Sequence, residues 1–108
     1  MTTDILSVTT TTPDRESAEL IAKMVVNENL AACASIDGPV TSVYRWHGQM
    51  QETQEYRVVF KTTEGRYQDL ENRILSLHPY ECPCVVAHPV PEAYWPYVNW
   101  VCESVSSR

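Results

Sequence analysis

Two amphipathic helical stripes bracket a long β-patterned stretch, and that order restricts the fold more than any other feature of the chain. Ala18, Ile21, Ala22 and Val25 recur at i, i+3, i+4 and i+7, one face of an α-helix that the pattern carries to about Asn29. Tyr67, Leu70, Ile74 and Leu77 mark a second helix, opened by Thr63 and ended by Pro79, which has no N–H and drives the residue before it toward extended backbone. Between them, residues 31–46 read as one long strand with a kink or bulge at Gly38-Pro39. His47-Gly48-Gln49 makes the turn, and residues 54–62 form the partner strand. On that partner Tyr56, Val58 and Phe60 share one side, while Arg57, Val59 and Lys61 share the other.

The flanks complete the plan. Residues 4–9 alternate as a strand, after which Thr12 is a candidate helix cap with Pro13 at the first helical position. Residues 83–90 read as a fourth strand, and Pro96 starts a last helix with Val98, Val101, Cys102 and Val105 on its inner face. The order β-α-β-β-α-β plus a terminal helix predicts an α+β fold of the ferredoxin-like split βαβ type. Its antiparallel sheet carries helices on one face. With 108 residues and no linker or repeat, residues 1–108 are expected to form one domain.

Such a domain has more apolar surface than it can hide alone. Both sides of the long hairpin bear large groups, among them Val43, Tyr44, Trp46, Tyr56 and Val59, and the last helix has a second stripe of Tyr97 and Trp100. Aromatic side chains bury on the order of 150–250 Å² each. Leaving several of them, and a long strand edge, in water invites association. Self-association is therefore expected.

A net charge of −6 argues against nucleic-acid phosphates and anionic membranes as partners. Thr2, Thr3 and Asp4 follow Met1 with neither a basic nor an apolar leader, so a cytoplasmic location is expected, with Cys33, Cys82, Cys84 and Cys102 as reduced thiols. No Gly-rich phosphate loop, HExxH or GxSxG motif is present, and the chain is not expected to be an enzyme. Acylphosphatases share the split βαβ plan, but the nearest arginine to their phosphate loop, Arg15, is expected in the first helical turn beside acidic residues.

Particular residues sharpen this reading. Ser42-Val43-Tyr44-Arg45-Trp46 with Gly48 resembles the "SVYRW-x-G" hairpin of the CutA divalent-cation tolerance family, and Lys61-Thr62-Thr63 resembles its "KTT" strand end. His78-Pro79-Tyr80-Glu81 with Pro83 resembles its "HPYE-x-P" segment, Leu30-Ala31-Ala32-Cys33 its "LAAC" step, and Tyr97 with Trp100 its last helix. The resemblance runs from Thr11 to Val105. It implies a compact homotrimer similar to the PII signalling proteins, with small ligands held in clefts between subunits. It also implies a part in the response to metal ions, with copper bound by some members. No obligatory cofactor comes with it; copper or another divalent metal is the candidate.

Trp46, Lys61, His78, Tyr80, Glu81, Tyr97 and Trp100 combine aromatic walls with charged groups, as ligand clefts do, and are the candidate pocket residues. The plainer reading makes the aromatics a subunit seal and Lys61–Glu81 an ion pair. His78 suits a helix C-terminus on charge grounds alone. Cys82 and Cys84 depart from the Val-Pro-Glu usual in relatives. If they lie at i and i+2 of a strand they share a face, with His88 further along it, a set suited to Cu(I) or Zn(II). Cys82, Cys84, His88 and His78 are thus the candidate metal ligands, although burial of both cysteines as small apolar residues is the expected outcome. Cys33 and Cys102 are read as core. A copper site like that of some bacterial relatives does not carry over: Thr10 or Thr11 stands where they have a cysteine, and Leu77-His78 where they have paired histidines, so that only His78 remains.

Overall fold

The computed structural model describes residues 2–106. A four-stranded antiparallel sheet has the order β2-β3-β1-β4, where β1 is Ile5–Thr12, β2 Cys33–Trp46, β3 Gln49–Thr63 and β4 Val85–Pro89. Helices α1 (Arg15–Asn27) and α2 (Tyr67–Leu77) follow β1 and β3, and α3 (Trp95–Val105) ends the chain. The split βαβ order read from the sequence is the one observed.

Side-chain alternation in β1 sorts the core into two. Val8, opposite Phe60, faces α1 and α2 and joins Ala18, Ile21, Val25, Val58, Leu70 and Ile74 in the main core. Ile5 has the other parity. It packs with Ala32, Val98, Val101 and Val105, so α3 covers one end of the opposite sheet face. The expectation of helices on one face therefore holds for α1 and α2, while α3 lies on the other side. The rest of that second face is open.

Several boundaries differ from the sequence reading, each for a local reason. β1 runs on to Thr12 because the threonines pair with β3 as far as Tyr56. Thr12 is thus a strand residue and not the helix cap. Asp14 caps α1 instead, its carboxylate accepting the Ser17 N–H at 2.7 Å, and the helix starts at Arg15 rather than Pro13. α1 stops at Asn27, and Asn29 takes the left-handed backbone that ends many helices. β2 starts at Cys33, not at residue 31, and a register shift between Asp37 and Val40 confirms the bulge. The hairpin turn is only His47-Gly48, both at positive φ, so β3 begins at Gln49 rather than residue 54. Its polar start, residues 49–53, carries no apolar alternation; a two-residue turn sets its register. A 3₁₀ turn at Glu64–Arg66 precedes α2.

β4 is shorter than the 83–90 read from sequence. Its ladder with β1 ends at Thr10 opposite Val85, because the next carbonyl, that of Thr11, is taken by the His78 ring. Cys82 and Cys84 consequently precede the strand, and the alternation that was to align them does not apply. Cys102 is exposed rather than core: α3 touches the sheet end along a narrow row, Val98, Val101 and Val105, and Cys102 lies beyond its edge. Cys33 is half-buried.

Candidate functional site

Beyond Tyr56 the β2–β3 hairpin has no neighbour from β1, and it projects from the sheet. The 78–84 segment leaves α2 and folds against the base of this overhang. Two hydrogen bonds by His78 hold it there. The ring Nε2–H donates to the Thr11 carbonyl at 2.7 Å, and Nδ1 accepts the Tyr80 N–H at 3.2 Å. Burial holds the imidazole below its ordinary pKa, outweighing the Thr11 bond and the nearby Glu55 charge. A neutral ring suits the pair of bonds, since Nδ1 can accept only without a proton.

Tyr80 then reaches across. Its O–H donates to Glu55 Oε2 at 2.6 Å, and Glu55 is only 6% exposed. Burial first, then the Glu55 carboxylate, pushes the Tyr80 hydroxyl well above the usual phenol range. The phenol therefore stays protonated and serves as a fixed donor.

A cleft of about 570 Å³ opens beside this pair, within the range of small-ligand sites. Tyr44, Trp46 and Tyr80 supply aromatic surface; Glu55 and Glu81 supply carboxylates; Cys82 and Cys84 lie on its lining with Thr11, Ser42 and Val43. Among the described residues no lysine, arginine or histidine lines it.

The sequence-derived pocket set thus divides. Trp46, Tyr80 and Glu81 come together here, with His78 bracing them from behind. Lys61 does not. It sits six residues beyond Glu55 on β3, about 20 Å along a strand, between Ser7 and Cys33 at the end of the sheet that α3 approaches. Among the described residues neither Lys61 nor Glu81 forms a salt bridge, so the Lys61–Glu81 pair is absent within one chain. Tyr97 and Trp100 lie on α3 with ring centroids 5.6 Å apart. The Tyr97 hydroxyl is 3.6 Å from Cys33 Sγ, and burial, then that contact, pushes it up to about 12.

The metal set also divides. Cys82 and Cys84 are exposed in the protomer and share the cleft, against the expectation of burial. His88 is opposite Ser7 in β4 and does not line the cleft. His78 has both ring nitrogens engaged. Among the described residues no group of three or more histidine, cysteine or acidic side chains is arranged to hold a metal ion.

Sequence reasoning missed Glu55 and Tyr44. The one available signal for Glu55 was parity, which places it on the same side of β3 as Arg57 and Val59. Its burial comes from Tyr80, on a different element.

Comparison with known proteins agrees with this architecture. The family model for the CutA1 divalent ion tolerance protein matches residues 6–104. The chain is 43% identical over 94 residues to the divalent-cation tolerance protein CutA of Thermus thermophilus, covering 87% of this chain and 91% of that one. The crystal structure of CutA from Xylella fastidiosa superposes with a TM-score of 0.94 at 33% identity, covering 96% of this chain and all of that one. The structure of the periplasmic divalent cation tolerance protein CutA from Archaeoglobus fulgidus superposes with a TM-score of 0.91 at 28% identity, covering 94% of this chain and 99% of that one. With the fold shared along almost its whole length and the family's sequence pattern running through the hairpin, the 78–84 segment and α3, this chain belongs to the CutA1 divalent ion tolerance family.

Proposed function

We propose that the protein acts in the response to metal ions as a homotrimeric binding module rather than an enzyme, with a ligand held in a cleft that a neighbouring subunit helps to wall. The observation that carries this reading is the cleft at the hairpin base, where the buried Glu55–Tyr80 pair faces an opening flanked by exposed aromatic surface. Val43, Tyr44, Trp46, Met50, Tyr94, Trp95 and Trp100 are all exposed in the protomer. The first four lie on the hairpin and the last three on or beside α3 at the other end of the sheet, two apolar surfaces of the kind that mark interactions. A second subunit laid against the overhanging hairpin would cover the first and close the outer side of the cleft.

A soft ion is the second reading, favoured by the two exposed thiols on one cleft wall. Thiolates select Cu(I) or Zn(II) over hard ions. The cytoplasm suits such thiols, since they stay reduced there. Among the described residues no helix is long and apolar enough to cross a membrane.

Native mass spectrometry of reduced protein, with and without copper, tests both readings. A species of three 12.3 kDa chains supports the assembly. A monodisperse monomer in dilute solution overturns it, and the inter-subunit cleft with it.

A further inference from the structure

The cleft has a chemical bias that narrows what it can hold. Its lining within one protomer brings two carboxylates, Glu55 and Glu81, to three aromatic rings, Tyr44, Trp46 and Tyr80, and among the described residues offers no cationic side chain. Glu55 is buried, and its Oε2 is occupied by Tyr80. Among the described residues no hydrogen bond reaches its Oε1, which keeps some contact with solvent and is free to accept from a ligand. Asp14 adds to the negative field that Tyr80 experiences. An anionic ligand would meet uncompensated repulsion here. A neutral one would leave the carboxylate poorly solvated. A hard metal ion wants six or more oxygen ligands, and no cluster of three ligating groups is present among the described residues. An ammonium group satisfies both features at once. It donates to Glu55 Oε1, and its field is complementary to aromatic faces.

We propose that this cleft binds a small organic ammonium ion carrying an apolar body, with Glu55 as its counter-ion and Tyr44 and Trp46 as the walls around it. The proposal rests on the reading of the cleft as a ligand site and adds the class of ligand. Tyr80 is the positioning residue: its hydrogen bond fixes the Glu55 carboxylate and leaves the second oxygen to the ligand. Glu81, exposed on the rim, adds long-range attraction that salt screens.

Three probes of like shape and different charge decide the matter: phenethylammonium, 2-phenylethanol and 3-phenylpropanoate. Binding to the assembled wild-type protein is followed through the Trp46 indole N–H resonance. The ammonium probe is expected to bind about tenfold more tightly than the alcohol, as one charge-assisted hydrogen bond supplies, with the carboxylate weakest. Glu55→Gln keeps an acceptor for Tyr80 and removes the charge, so it should erase the preference for the ammonium while the alcohol binds as before. Glu81→Gln should weaken the salt dependence alone. Equal binding of ammonium and alcohol, with Trp46→Ala weakening both, overturns the charge assignment and leaves the cleft as a ligand site. A full ammonium preference in Glu55→Gln protein of unchanged melting temperature overturns the role of Glu55. If none of the probes moves the Trp46 resonance, the proposal and the ligand-site reading fall together.

Discussion

The Tyr80 hydroxyl donates to Glu55 Oε2 across 2.6 Å, joining the segment that follows α2 to the base of the projecting hairpin. It is the one side-chain hydrogen bond between the 78–84 segment and β3 among the described residues. Removing the donor leaves a buried carboxylate to find another. Tyr80→Phe is expected to destabilise the protein by about 1.5–3 kcal/mol, the scale of a hydrogen bond to a charged group. Glu55→Gln should cost less, because an amide oxygen still accepts. Urea midpoints of the two variants check the order.

His78 predicts a pH dependence. Its folded pKa lies below the ordinary 6.5, chiefly through burial. The unfolded chain therefore binds the proton first, and stability falls as pH drops through 6.5 toward the folded value, then levels off. His78→Gln should remove this part of the profile. A wild-type stability curve that is flat from pH 7 to well below 6 would show that the ring is not held neutral.

Gly38 has φ +149°, and a Cβ there would sit 2.8 Å from Tyr56 Cδ2 and 3.0 Å from the Glu55 carbonyl. Neither the backbone conformation nor the space suits a side chain. Gly38→Ala is expected to cost about 1–3 kcal/mol. Because the clash falls on Glu55 and Tyr56, it should also disturb the Tyr80 contact, visible as a shift of the Tyr80 ring resonances.

If Trp100 seals a subunit contact, Trp100→Ala should cost ~3–5 kcal/mol in the assembled protein, as truncation of a large core aromatic does. Melting should become concentration-dependent. Unchanged melting at all concentrations would place Trp100 outside the interface.

Cys82 and Cys84 share a cleft wall in the absence of a third ligand. Reduced protein is expected to take up Cu(I) at near one per chain, less as pH falls and protons compete for the thiolates. Cys82→Ser with Cys84→Ser should abolish uptake. Unaltered uptake in the double variant would assign the metal to another site.

Periodicity alone carried the fold a long way. The stripes Ala18–Ile21–Ala22–Val25 and Leu70–Ile74, and the side shared by Val58 and Phe60, are buried as their spacing requires, because regular backbone repeats its side-chain directions every few residues. The chain's local code also contained the Gly38 bulge and, in the motifs around Tyr44, His78 and Trp100, the family. What it did not contain was which of these residues meet. Glu55 is covered by Tyr80, which arrives from beyond α2, and β4 begins only at Val85, where His78 takes the next β1 carbonyl, that of Thr11. Lys61 and Glu81 look like partners in the sequence and do not meet within one chain: Glu81 lines the cleft beside Glu55, and the extended β3, at ~3.3 Å per residue, carries Lys61 six residues away from it. Burial on one element is local and periodic; a site is made where separate elements converge, and that convergence was decided by the tertiary packing.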